Sequence, residues 1–202
     1  MLAKQIRCAG FGLIELMVSV SLIVILVMLA APSLAAYTEN SKVRAAAESF
    51  LAGAQAARAE AIRTNLPVQM VLTDDVSIAA NKDTVSTNAT SGNWLVRRLD
   101  TATGVTAFVE GKSALEGSGA SGMTSITVSA TSSGAAQPTL TFGSGGNSGL
   151  GSNWQVDFAS TTASCAHASV PGPVRCLRVV VRPSGIVKSC DLAAAAPDSR
   201  AC

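Results

Sequence analysis

GFGLIELMVS, residues 10–19, places one carboxylate, Glu15, near the start of an otherwise apolar run. Residues 11–36 carry no other charged side chain, and as a helix they exceed the roughly 30 Å hydrocarbon core of a bilayer. An ionised carboxylate in that core costs about 2.5–3.5 kcal/mol. The stretch therefore predicts a membrane-spanning helix in which Glu15 requires a stabilising partner.

The flanking charges predict the orientation of this helix. Lys4 and Arg7 precede the apolar run, so the positive-inside bias holds the first ten residues in the cytoplasm and exports the chain after Ala36. A secretory signal cut near Tyr37 is the alternative, because small residues end the run. The run is much longer than the roughly 7–15 apolar residues of a signal, and it contains Glu15, so an anchor retained in the mature protein is favoured.

The first residues read MLAKQIRCAG and continue as FGLIELMVSVSLIVIL. They resemble the class III leader of the type IV pilin and type II secretion pseudopilin superfamily. The resemblance implies that a prepilin peptidase cleaves between Gly10 and Phe11, that the new Phe11 amine is methylated, and that Cys8 is lost with the leader.

The same resemblance implies a role for Glu15 in assembly. As the fifth residue of the mature chain, its carboxylate would pair with the free N-terminal ammonium of a neighbouring subunit and set the axial register of a growing filament. Pro32 matches the proline that interrupts this helix in many pilins. Gly12 departs from the family, which usually has Thr or another polar or β-branched residue there.

Residues 37–66 continue the helical pattern beyond the predicted membrane span, with apolar side chains at alternating spacings of four and three. Pro67 disfavours helical geometry at Leu66, so the helix should end near Asn65. The predicted organisation is a cleaved leader at 1–10, the membrane half of the helix at 11–36, its exported half at 37–66 and a β-rich domain at 67–202.

After Pro67 the apolar period changes to two, which is typical of half-buried strands. The predicted strands are 67–73, 93–100, 104–110, 124–130, 138–143, 153–159, 175–181 and 185–190. Trp94 and Trp154 are expected in the core. The Gly- and Ser-rich stretches 117–122 and 143–153 are expected to be flexible connections. The predicted fold class is α+β, a long N-terminal helix packed on an antiparallel, sandwich-like sheet domain.

The second half of the chain resembles the GspH/FimT/FimU group of minor pilins and pseudopilins. The segments that carry this resemblance are AEAIRTNLPVQMVL (59–72), SGNWLVRRLD (91–100), LTFGSGG (140–146) and RCLRVVVRPSGIVKSC (175–190). It implies a pilin-like fold and a structural subunit that polymerises with other minor and major pilins on an inner-membrane assembly platform. The subunit would first sit among the lipids of the bacterial inner membrane, with its C-terminal domain in the periplasm, and then in a filament.

Three functions follow from the resemblance. The first is a minor pilin that helps to initiate type IV pilus assembly near the tip. The second is a GspH-like minor pseudopilin of a type II secretion system. The third is a FimT-like pilin that binds DNA during uptake.

Four of the five cysteines lie near the C-terminus, at Cys165, Cys176, Cys190 and Cys202. An even set in an exported domain favours two disulfides. Pairing nearest neighbours closes two short loops, but four cysteines allow three connectivities. His167 could begin a Cys-x-His zinc site, yet an oxidising compartment favours disulfides. Because it is the only histidine, no nucleophile and base can be matched, and we predict neither an enzyme nor a metal or cofactor site.

Arg178, Arg182 and Lys188 predict a basic strip that DNA or a partner protein could contact. Some FimT-like proteins bind DNA through a C-terminal Gly-Arg-x-Arg motif, whereas the corresponding residues here, 185–188, read GIVK. Replacing the first Arg by Ile and the last by Lys weakens phosphate contact. A net charge of only +2 over the chain adds no strong field, so a solvated sheet face or a subunit contact is favoured over DNA binding.

Overall fold

A single long helix, α1 (Leu13–Thr64), begins the computed structural model, which describes residues 12–75, 79–100, 102–113 and 126–202. The helix ends one residue before the predicted end. Asn65 follows it in the left-handed conformation, with φ at 55°, which asparagine tolerates better than most residues. Pro67 then forces extended backbone and starts the β-rich part of the chain.

The β-rich part forms two antiparallel sheets, and all eight predicted strands are present. The first sheet contains β1 (Val68–Thr73), β2 (Asn93–Leu99), β3 (Thr106–Lys112) and β6 (Thr139–Phe142). The second contains β4 (Ile126–Ser132), β5 (Ala135–Ala136), β7 (Trp154–Ser160), β10 (Leu177–Val181) and β11 (Val187–Asp191). The strand order is β3-β2-β1-β6 in the first sheet and β11-β10-β7-β4-β5 in the second.

Short elements complete the architecture. A 3₁₀ turn covers Ala79–Asn81, and β8 (Cys165–Ala166) pairs in parallel with β9 (Val174–Arg175). These pieces are only two or three residues long, too short to leave a periodic pattern in the sequence.

Contacts divide the chain into two compact units between Tyr37 and Thr38. We refer to residues 38–202 as the C-terminal unit. Its core lies between the helix and the two sheets. The buried helix residues are Val43, Ala46, Ala47, Phe50, Gly53, Ala54, Ala57 and Ala61. Because most of them are small, the sheets can approach the helix axis closely.

Both tryptophans lie in this core, as predicted. Trp94 is 4% exposed and Trp154 is fully buried. The ring centroid of Phe50 lies 5.5 Å from those of Trp154 and Phe158. On β7 the residues Trp154, Val156 and Phe158 are buried and alternate with half-buried Gln155 and Asp157, the pattern predicted for a strand with one face on the core.

The glycine-rich connection after β6 is more ordered than we predicted. The amide of Gly143 donates to the carbonyl of Asn147, that of Ser148 to Pro183, and that of Gly149 to Thr141. Backbone hydrogen bonds to two other segments thus fix a stretch whose composition suggested flexibility. The other such stretch, 117–122, lies outside the described residues.

Candidate functional site

The N-terminal unit presents an apolar helix surface. Large side chains from Leu13 to Leu29 are mostly more than half exposed, and α1 is long and apolar enough to cross a membrane. Ser19 and Ser21 interrupt this surface, but each hydroxyl donates to the carbonyl four residues earlier, at 2.7 and 2.8 Å. Their polarity is therefore satisfied within the helix, as hydrocarbon surroundings require.

Glu15 lies in the first turn of α1. A carboxylate at a helix N-terminus interacts favourably with the helix dipole. Within the described residues, which begin at residue 12, no hydrogen bond or ion pair reaches its carboxylate, although its backbone amide donates to Gly12 at 3.1 Å. The predicted cleavage and methylation residues, Gly10 and Phe11, lie outside the described residues.

Pro32 lies inside α1 without breaking it. Proline has no N–H, so the carbonyl of Met28 loses its usual helical donor, yet the fixed φ of proline is compatible with a helix. The resemblance matched Pro32 to a proline that interrupts this helix in many pilins. Here the helix runs through Pro32 from Leu13 to Thr64, and the Ser33 hydroxyl donates to the Ala30 carbonyl at 2.8 Å.

One residue of the predicted basic strip is neutralised by a neighbouring carboxylate. Arg178 makes a bidentate contact with Asp157 on the neighbouring strand β7, at 2.5 and 2.8 Å. These hydrogen bonds raise the pKa of Arg178 above its ordinary value. Val180 lies between Arg178 and Arg182 along the chain and is 7% exposed. Of the three basic residues, only Arg182 is fully on the surface, while Lys188 is half-buried.

A junction that the sequence analysis missed joins the helix to two loops. The Nε of Arg58 donates to the carbonyl of Gly146 at 3.0 Å. Gly146 and Gly185 have φ values of 73° and 79°. A Cβ atom on Gly185 would lie 1.7 Å from the Gly146 carbonyl oxygen. The only sequence signal is the glycine content of the two loops, which indicates turns without indicating that they meet.

A cleft of about 250 Å³ adjoins this junction. Its lining residues are Gln55, Arg58, Ala59, Ile62, Ile186 and Val187. The helix residues recur at spacings of three and four, so they share one face of α1. The second wall is the start of β11 and the turn before it.

Disulfides fix the C-terminal part of the chain. Cys165 is bonded to Cys176, and Cys190 to Cys202, which is one of the three connectivities the sequence left open. With both sulfurs of the first pair in a disulfide, the exposed His167 has no thiolate beside it for a zinc site.

Two ion pairs involve residues near the C-terminus of the chain. Asp198 accepts from the side chain of Arg200 at 2.7 and 3.2 Å, and mainly for this reason its pKa falls to about 2. Asp191 accepts from Arg175 at 2.9 Å. Asp191, Asp198 and Arg200 lie between Cys190 and Cys202 in the sequence. The two ion pairs neutralise Arg175 and Arg200.

Comparison with known proteins identifies the family. A family model described as Type II transport protein GspH matches residues 46–185, more than half of the 202-residue chain. The structure is similar to the type IV minor pilin FimU of Pseudomonas aeruginosa, with 15% identity, a TM-score of 0.46, and coverage of 75% of this chain and 90% of FimU. It is also similar to the minor pseudopilin EpsH from the Type 2 Secretion System of Vibrio cholerae, with 10% identity, a TM-score of 0.43, and coverage of 74% and 97%.

A search among curated proteins finds no significant match to this sequence. Both structural similarities have TM-scores below 0.5, so the assignment rests on the match of the family model over residues 46–185. That span includes seven of the eight buried helix residues, most of both sheets and the junction of Arg58 with Gly146 and Gly185. The chain therefore belongs to the GspH family of pilin-like proteins.

Proposed function

We propose that this protein is a minor pilin that helps to initiate type IV pilus assembly near the filament tip. The observation that carries the proposal is the division of one helix into two different surfaces. Residues 13–36 are apolar and almost wholly exposed, whereas eight residues from Val43 to Ala61 are buried in the C-terminal unit. A helix with this division suits a subunit that is held in a membrane and then packs among other apolar helices.

Glu15 supplies the register of assembly in this proposal. An exposed carboxylate at the start of an apolar helix costs several kcal/mol in hydrocarbon until a cation neutralises it. The N-terminal ammonium of a neighbouring subunit, created when a prepilin peptidase cleaves between Gly10 and Phe11, is that cation. Only one axial offset between two subunits brings the two charges together, so the pair selects the offset.

The second candidate function is that of a minor pseudopilin of a type II secretion system, which would use the same apolar helix. The description of the matching family as a type II transport protein favours it. The two candidates share the membrane anchor, the processing by prepilin peptidase and the hetero-polymer with other pilins. They differ in the machine that the subunit joins.

DNA uptake has less support than either filament role. Arg178, one of the three residues of the predicted strip, already donates two hydrogen bonds to Asp157. Phosphate contact would have to replace this bidentate pair. We therefore assign Arg178 to the stability of the sheet.

Complementation of a deletion strain tests the proposal. Glu15→Gln should be made and inserted normally but should not restore surface pili or twitching, because an amide cannot form the ion pair. Ser21→Ala is the matched control, since it removes a polar group from the same exposed helix surface and should restore both. Full restoration by Glu15→Gln would refute the register role, and a deletion that impairs only protein secretion would favour the second candidate.

A further inference from the structure

The cleft beside Gly185 combines a cation with apolar walls. Ile62 and Ile186 are 53% and 49% exposed although both line the cleft. A partner that covered these two aliphatic side chains would remove their apolar surface from water, which favours binding. Arg58 lies one helical turn before Ile62, so its guanidinium shares the same face of α1.

Arg58 has donor capacity that the protein does not use. Its Nε donates to Gly146, which fixes the guanidinium plane, but within the described residues its two terminal nitrogens have no acceptor. A guanidinium carries five N–H donors in a rigid fork that matches a carboxylate. None of the six lining residues is Asp or Glu, so no carboxylate of the cleft wall competes for this fork.

Five other arginines of the C-terminal unit contact a carboxylate. Arginines 63 and 98 contact Glu60, and arginines 175, 178 and 200 each contact an aspartate. Within the described residues Arg58 is half-buried without a carboxylate partner, as is Arg97, but Arg97 uses its Nε and both terminal nitrogens to donate to Gln69 and Lys82. Arg182 is exposed and lies four residues before Ile186, and Lys188 follows Ile186 by two. The lining of the cleft therefore contains a cation and no carboxylate, and two further cations flank Ile186 in the sequence.

We infer that this cleft binds a segment of another protein chain that presents a carboxylate beside an aliphatic side chain. The carboxylate would accept from the terminal nitrogens of Arg58, and the aliphatic group would cover Ile62 and Ile186. A DNA backbone would satisfy the cation but leave the two isoleucines in water, so a polypeptide fits the whole surface better. The inference concerns the C-terminal unit and stands whether or not the apolar helix assembles as proposed.

Methyl NMR on the full chain in detergent micelles tests this inference. The probe is an acetylated, amidated Leu-Glu-Leu-Glu-Leu peptide, and its matched control carries Gln in place of Glu. The Glu peptide should shift the methyl signals of Ile62 and Ile186 saturably and leave buried Ile126 unchanged. The Gln peptide should bind at least tenfold more weakly, because it lacks the charge that Arg58 recognises.

Three variants complete the test. Arg58→Gln should abolish binding, but it also removes the hydrogen bond to Gly146 and could disturb the fold. Ile186→Glu places a negative charge, the same sign as the peptide carboxylates, at an exposed position of the cleft. It should weaken binding of the Glu peptide at least tenfold. Val105→Glu, the same change at an aliphatic residue that is 61% exposed outside the cleft, should leave binding intact.

Three outcomes would overturn the inference. Equal affinities of the Glu and Gln peptides would remove the role of Arg58. The absence of any shift at millimolar peptide would show that the cleft does not accept this chemistry. Shifts produced by a short DNA duplex and not by the peptide would assign the cleft to phosphate. None of these outcomes bears on Glu15, whose test is the restoration of pili.

Discussion

Replacing Gly185 by alanine should destabilise the C-terminal unit by about 2.5–6 kcal/mol, through crowding and the loss of a hydrogen bond together. The new Cβ would lie 1.7 Å from the Gly146 carbonyl oxygen and 2.9 Å from its carbon. The carbonyl must move by more than 1 Å to restore an ordinary contact. Backbone shifts forced by overpacking typically destabilise a protein by about 1–3 kcal/mol. The same oxygen accepts from Arg58, and losing a hydrogen bond to a charged group costs about 1.5–3 kcal/mol.

Gly134 provides the matched control for the backbone conformation. Its φ is 81°, against 79° for Gly185, but a Cβ there meets nothing within 4 Å. Alanine at this position incurs about 1–2 kcal/mol for the left-handed conformation, partly offset by about 0.4–1 kcal/mol from a less flexible unfolded chain. Gly134→Ala should therefore cost roughly 0–1.5 kcal/mol, and the difference between the two variants isolates the close approach.

Urea unfolding of the full chain in a non-ionic detergent measures both effects. Fluorescence reports the C-terminal unit alone, because the two tryptophans of the chain, Trp94 and Trp154, are both in its core. The free energy of unfolding follows from linear extrapolation, with an unchanged slope showing that the native state is comparable. If the two variants differ by less than about 0.5 kcal/mol, the resolution expected for independent sites, the junction does not form as described.

Two further predictions concern the core and the tail. Gly53→Ala should lower the free energy of unfolding by about 1 kcal/mol, because the new Cβ would lie 2.5 Å from the Trp94 ring and overpacking outweighs the gain in helix propensity. In the same urea assay, the exposed control Ala52→Gly measures the effect of helix propensity alone. A Gly53→Ala variant that is more stable than the wild type would contradict the predicted clash. Carboxyl NMR should give Asp198 a pKa of about 2, below its ordinary value of 3.8, so its stabilising effect is complete above about pH 4 and is lost between pH 4 and 2. Arg200→Gln should raise the pKa of Asp198 toward about 3.9. An unchanged pKa in this variant would assign the shift to another group.

The helix and the eight longer strands of this fold could be predicted from the sequence because each has a local cause. Pro67 sets the end of the helix, and alternation in stretches such as that around Trp154 marks the strands. The single charge in an apolar run predicts that Glu15 needs a partner, and the resemblance to pilins implies its role in assembly. Its ion partner in a neighbouring subunit remains a prediction.

The remaining features depend on which strands become neighbours. Arg178 meets Asp157 only through the register of β10 on β7, which a strand pattern does not specify. The junction joins Arg58, Gly146 and Gly185, which lie far apart in the sequence. The cleft beside it could not be foreseen for the same reason, since its two walls come from the helix and from the turn before β11.

The state of the mature N-terminus tests the central claim most directly. The full chain should be purified from membranes that contain its own prepilin peptidase, and its N-terminal residue and intact mass determined without reduction. We predict a chain that begins at N-methylated Phe11 and is four hydrogens lighter than its reduced form, because it holds two disulfides. A chain that begins near Tyr37 would lack the apolar half of the helix and would contradict assembly through it.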